Sequence, residues 1–290
     1  MKLRRFLYGL LLTLQAALVI TGGAVRVTGS GLGCPTWPEC TPGSYTPVPH
    51  QAEEALNAWI EFGNRLLTFA LLIAAVAVVA HVLKTGRRDL RLLALGQVLG
   101  ILGQGLLGGI TVLTDLHPLT VASHLLLSII LIAGAASLYH RRNETYTRVV
   151  SVDPLVRNLA RIHITLTYIV IVVGTIVTGS GPHAGDEKAE RFGFDIKTMA
   201  WLHADLVIAL LGLTLALYIA ARNQQKYLRS IRIFTLVALA QGGIGYLQYF
   251  LGIPEALVIA HLLGATLVWI SAWRIRLAIN FAPTSTMNKA

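Results

Sequence analysis

Residues 118–134 read PLTVASHLLLSIILIAG, an apolar helix with a single histidine, His124, near its start. Residues 254–264 read PEALVIAHLLG and place His261 in the same setting, 137 positions after His124. An ionisable side chain at membrane depth is costly and marks a functional site that needs a partner. Two such histidines in matching positions predict a duplicated architecture with a site in each half.

Composition sets the solvent. Of 290 residues, 54% are hydrophobic and 13% charged, and the mean hydropathy is +0.65. Soluble domains carry about a quarter charged residues, so the chain reads as a polytopic membrane protein. Apolar windows of membrane length predict eight spans, near 7–27, 57–83, 91–113, 118–139, 158–178, 198–221, 231–251 and 255–275. The first follows Lys2, Arg4 and Arg5 like a signal peptide. Its apolar run is too long for one and no small-residue cleavage site precedes the polar loop, so it is read as a helix.

With both termini cytoplasmic, inner segments hold 19 of the 24 Lys and Arg, leaving Arg26, Arg65, Lys188, Arg191 and Lys197 outside. The net charge of +10 then reflects topology and contact with anionic lipid, and nucleic acid is excluded as a partner. The two cysteines, Cys34 and Cys40, share the first outer loop in GCPTWPEC. In an oxidising compartment a short-loop disulfide is the leading reading, exposed and easily reduced; a redox-cycling dithiol competes with it, and metal binding is the weakest option.

The repeat has further signs. TGSG recurs at 28–31 and 178–181, at the outer ends of the first helix of each half. The glycines and Arg26 there suit either close helix packing or contact with an anionic ligand group. Helices 3 and 7 carry GQVLGILGQGLLGG and AQGGIGYLQYFLG, rich in Gly and Gln. The expected fold is all-α, eight transmembrane helices in two pseudo-symmetric four-helix bundles: residues 1–140, a linker at 141–157, and residues 158–290.

Asn64 and His203 occupy corresponding places at the starts of helices 2 and 6. With His124 and His261 they fall four to seven residues into helices entering from outside, about 6–11 Å deep. His203 and His261 on facing helices suit axial ligation of a b-type haem. In the first half His124 has the same setting but faces Asn64, an amide that ligates iron poorly, so that half suits a five-coordinate or exchangeable porphyrin. Glu61, one turn before Asn64, could move protons beside such a site or pair with Arg65 at i+4. Arg26 and Arg65 near the outer interface could meet porphyrin propionates or snorkel. Asp205 carries no assignment. His81, His140 and His163 are expected in solvated or interfacial places toward the inner helix ends, His50, His117 and His183 in outer loops. Asp186 to Arg191 form a solvated segment. Trp37, Trp59 and Trp201 fit the outer aromatic belt.

Together, GGAVRVTGSGLGCPTWPEC, EFGNR, WLHAD and the two histidine segments resemble the haem A synthase family, called cytochrome oxidase assembly protein 15 in mitochondria, over about residues 7–276. The resemblance implies a membrane monooxygenase that oxidises the C8 methyl group of haem O to the formyl group of haem A. It implies haem b on His203 and His261, and the substrate haem in the N-terminal half with His124. The family's helix 2 motif has a glutamate followed three residues later by histidine; Glu61 matches, and Asn64 takes the histidine's place. His124 alone, or with a weak or water ligand, is then the expected ligand set. The family pattern pairs Cys34 with Cys40 as a disulfide assisting haem transfer or redox; a second cysteine pair that some members carry between helices 5 and 6 is missing here. Implied partners are haem O, membrane lipid, a haem O synthase, an electron donor that the sequence does not identify, and a second copy of the chain. A di-haem electron carrier and a haem transporter without chemistry are the alternatives.

Overall fold

The computed structural model describes residues 2–49, 51, 54–148 and 152–284. Its eight long helices are α1 (Lys2–Val27), α2 (Ala55–Lys84), α3 (Arg91–Leu113), α4 (Pro118–Arg141), α5 (Pro154–Ser180), α6 (Ile196–Ala220), α7 (Gln225–Phe250) and α8 (Glu255–Asn280). All eight are long and apolar enough to cross a membrane, as the hydropathy pattern predicts. Several start earlier than their apolar windows, because polar caps and first turns carry no hydropathy signal. Asp153 accepts from Leu155 N–H ahead of Pro154, and Asp195 accepts from Thr198 N–H. The basic first turns of α7 lie within the helix.

The segment 141–157 was expected as a bare linker. It contains strand β1 (Tyr146–Arg148), paired antiparallel with β2 (Phe281–Pro283) beyond α8. Three-residue strands are too short to leave an alternating pattern.

Successive helices pack as antiparallel neighbours. α1 also packs on α4 and α5 on α8, and α1–α8, α4–α8 and α4–α5 contacts join the first four helices to the last four. Where α3 turns into α4, Asp115 and Leu116 are left-handed (φ 50° and 60°); where α7 turns into α8, Gly252 and Ile253 are (φ 75° and 61°). Leu116 N–H reaches Thr111 C=O at 2.9 Å and Ile253 N–H reaches Gln248 C=O at 2.8 Å, the same six-residue closure. Both turns lie 137 residues apart, the spacing of His124 and His261.

Packing is uneven along the helices. Tyr8, Leu11, Leu71, Val78, Ala135 and Leu138 close one core, and Tyr227, Ile231, Phe234, Leu217, Ile275 and Ile279 the other, both toward the end that carries the chain termini. At the opposite end, residues 62–70 of α2, 119–128 of α4, 196–209 of α6 and 239–250 of α7 contain no buried side chain. Two indoles join the halves: Trp269 Nε1–H donates to Ile129 C=O and Trp273 Nε1–H to Ser137 Oγ, each at 2.7 Å. Each meets an acceptor that lipid could not supply.

Candidate functional site

His203 lies seven residues into α6 and His261 six into α8, in helices that start at the same end. Their ring centres are 6.4 Å apart with planes at 61°. Each ring leans on a glycine of the neighbouring helix. A Cβ on Gly174 of α5 would stand 3.2 Å from His203 Cε1, and one on Gly245 of α7 would stand 3.1 Å from His261 Cε1. Among the described residues, Nδ1 of both rings is buried without a hydrogen-bond partner. Gln241 of α7 donates to His261 C=O at 2.8 Å and fixes the backbone behind the ring.

The first half repeats this frame. Gln104 of α3 donates to His124 C=O at 3.0 Å and to Ser128 Oγ at 2.6 Å. A Cβ on Gly108 would stand 3.1 Å from His124 Nε2. Gln104 and Gln241, like Gly108 and Gly245, are separated by the 137 residues that separate the histidines. That shared offset is the signal that could have singled them out from the Gly- and Gln-rich helices. The fourth position differs: Asn64 Oδ1 accepts from Thr21 Oγ of α1 at 2.7 Å. Because α2 begins at Ala55, Asn64 is nine residues into its helix, about 3 Å further along than His203 in α6.

Cys34 and Cys40 form a disulfide. Both are fully buried, which corrects the expectation of an exposed bridge. Glu61 and Arg65, one turn apart on α2, hold the loop. Glu61 Oε1 pairs with Arg65 at 2.6 Å, and Oε2 accepts from Cys34 N–H at 2.7 Å. Arg65 also donates to the carbonyls of Cys34 (2.7 Å), Thr36 (3.2 Å) and Glu39 (3.1 Å). Trp37 lays its indole on Gly109 of α3, where a Cβ would come within 2.5 Å, and like Trp59 and Trp201 it is exposed.

Arg26 at the end of α1 donates to the carbonyls of Thr178 (2.8 Å) and His183 in the other half. Beside it Gly31 N–H donates to Gly185 C=O at 2.9 Å, so the two TGSG regions meet through backbone. The loop after α5 is only partly solvated: Glu187, Lys188 and Glu190 are exposed, but Ala184 and Ala189 pack against Leu116.

With these contacts established, known proteins supply a comparison. The profile of a family described as cytochrome oxidase assembly protein matches residues 4–273. The chain belongs to that family. Among curated family members it is similar to the Heme A synthase of Shewanella oneidensis, 32% identical over 176 residues, covering 56% of this chain and 51% of that protein. It is 28% identical to the Heme A synthase of Methylobacterium sp. strain 4-46, covering 91% of this chain and 88% of the relative. The Azorhizobium caulinodans Heme A synthase is 28% identical, with 88% of each chain covered. The chain thus spans about half the length of the Shewanella relative and most of the other two.

Within this member of the cytochrome oxidase assembly protein family, the remaining histidines fall into place. His163, expected near solvent, is 1% exposed: its Nε2 meets Thr214 Oγ at 3.1 Å and its ring lies edge-on to Phe234. It lies nine residues into α5, deep enough for the core to close over it. His81 and His140 are half-buried against Tyr8 and Tyr146. His117 caps α4 and approaches Glu190 at 3.6 Å, and His183 meets Ile253 C=O at 2.9 Å. His50 lies outside the described residues. Asp205 is exposed.

Proposed function

We propose that the chain is a haem A synthase that oxidises the C8 methyl group of haem O to a formyl group, in a membrane with both termini cytoplasmic. The observation that carries this reading is the His203–His261 pair in a member of the cytochrome oxidase assembly protein family. Two imidazoles that shared one metal ion, with a bond of about 2 Å and about 1.1 Å from ring nitrogen to ring centre, would have centroids at most about 6.2 Å apart. The rings lie 6.4 Å apart. Among the described residues no three His, Cys, Asp or Glu gather as a cage for a bare ion. Imidazoles are donors that a haem iron would take, so His203 and His261 would hold haem b. Bound haem supplies the iron and its redox chemistry.

The protein's own contributions follow from the site. Gly174 and Gly245 leave the edges of the His203 and His261 rings room beside α5 and α7. Gln104 and Gln241 hold the backbones of the two histidine helices. The sparsely packed helix segments at this end suit large planar guests with an apolar tail, entering from lipid. In the N-terminal half His124 is the proposed ligand to haem O. Asn64, tied to Thr21, would leave ligation of that haem to His124. Glu61 is the proposed proton-handling group, placed beside the disulfide loop by its pairing with Arg65. Arg65 and Arg26 already serve carbonyls and a carboxylate, so neither depends on a propionate for a partner. The two four-helix halves, 1–140 and 158–290, are proposed as the substrate and haem b units. A haem O synthase and a separate electron donor are the proposed partners.

The test is mass analysis of haems extracted from protein co-expressed with a haem O synthase. Haem A or its hydroxylated precursor beside haem B is the expected result. Haem B alone, with haem O made but unchanged, would refute the synthase and leave an electron carrier.

A further inference from the structure

We propose a binding site for an anionic phospholipid of the inner leaflet in the groove between α1 and α4, at the end carrying the termini. Nothing in the haem chemistry uses this region. The groove is open and measures about 540 Å³. Its mouth is cationic, with Lys2 and Arg5, and its wall continues through Phe6, Gly9, Leu10 and Thr13. These positions follow one another at helical spacing, so one stripe of α1 runs from two cations to an apolar surface. Phe6 is 62% exposed along it.

The opposite wall is Tyr139 of α4. Gly9 makes the notch: a Cβ there would already stand 3.5 Å from Tyr139 Cε2, so any larger side chain would fill the space between the helices. A third cation lies against this wall. The Arg142 guanidinium lies over the Tyr139 ring, 3.9 Å from its centre, and donates to Tyr139 C=O. Cations at the rim and an apolar slot running toward the membrane interior match a lipid phosphate and its acyl chain. Basic pockets between transmembrane helices on the cytoplasmic side bind such headgroups. A zwitterionic lipid presents the same chains without the net charge, so the rim selects for the anionic one. The inference rests on the proposed orientation of the chain and is independent of its haem chemistry.

The experiment is native mass spectrometry of the intact protein titrated with phosphatidylglycerol or phosphatidylcholine, with haem content read on the same samples. Phosphatidylglycerol is expected to bind preferentially. K2Q/R5Q is expected to weaken it about thirtyfold, taking each basic residue near the surface at its usual worth, while phosphatidylcholine binding stays unchanged. Lys2 and Arg5 also direct insertion, so Gly9→Leu provides a second variant that keeps both charges. It is expected to abolish the bound phosphatidylglycerol, and Gly9→Ala, which fits against Tyr139, to retain it. Equal binding of the two lipids overturns the proposal, as does undiminished phosphatidylglycerol binding by either K2Q/R5Q or Gly9→Leu. Variants that lose lipid and keep haem support it. A wild type without haem that still selects phosphatidylglycerol would count against the proposed function alone.

Discussion

Replacing Arg65 should damage the loop between α1 and α2 more than replacing its partner Glu61. The Glu61 side chain is 7% exposed and that of Arg65 21%. Glu61→Gln keeps the shape and one acceptor oxygen but leaves the Arg65 cation against a neutral amide, a loss of about 1.5 kcal/mol. Arg65→Met removes the guanidinium that neutralises a buried carboxylate and takes the donor from the carbonyls of Cys34, Thr36 and Glu39. Breaking a buried pair from one side costs about 3–5 kcal/mol. Amide hydrogen exchange at Cys34 reads local opening directly. It should speed up about tenfold in Glu61→Gln and more than about 100-fold in Arg65→Met. The double variant should cost less than the sum of the two. Equal exchange in both single variants, or strict additivity, would refute the loop-holding role. Haem A formation separates the second role: a proton-handling Glu61 predicts a fall of about 10²–10⁴-fold in Glu61→Gln, far beyond what slight loosening of a loop explains.

Further outcomes follow from other contacts. Asn64→His should convert the substrate-haem spectrum to a six-coordinate low-spin form and slow the oxidation; an unchanged spectrum would place Asn64 away from the iron. Gly245→Val should displace the His261 ring, with the loss of the b-type absorbance as the measured effect, because even a Cβ comes within 3.1 Å of it. Removing either bridging indole, Trp269→Phe or Trp273→Phe, should lower stability by about 0.6 kcal/mol each for the lost hydrogen bond, read as a thermal midpoint in detergent. At the start of α6, the Thr198 hydroxyl and then its backbone N–H hold the Asp195 carboxyl below the usual carboxylate range. A depressed folded value means this cap is present above the ordinary carboxylate pKa and lost as pH falls through the folded one. Hydrogen exchange in the first turn of α6 should therefore rise on acidification in the wild type and stay flat in Asp195→Asn.

Much of this was legible because membrane helices write their requirements in long apolar runs. The eight spans, the matched histidines and the i+4 pairing of Glu61 with Arg65 all rest on local spacing. What escaped depends on chain crossings that spacing does not encode. Thr21 meets Asn64 across 43 residues, and Arg26 reaches carbonyls more than 150 residues away. The burial of Cys34 and Cys40 depends on Trp37 and Arg65 folding the loop down onto α2 and α3. The burial of His163 is not legible in the sequence because distance from a helix end says nothing about which face the neighbouring helices cover.

The two indole bridges bear on the ancestry of the chain. A protein made of similar halves could have descended from a symmetric pair of identical subunits, each offering the other the same surface. Here Trp269 and Trp273 both come from the second half, and 137 residues earlier stand Ile132 and Ala136, which donate nothing. The Ser137 hydroxyl that receives Trp273 is matched in the second half by Arg274. Two copies of the first half would lack the donors, and two copies of the second would lack that hydroxyl. Each half gives the other a hydrogen-bonding group that a second copy of itself would not supply at that place.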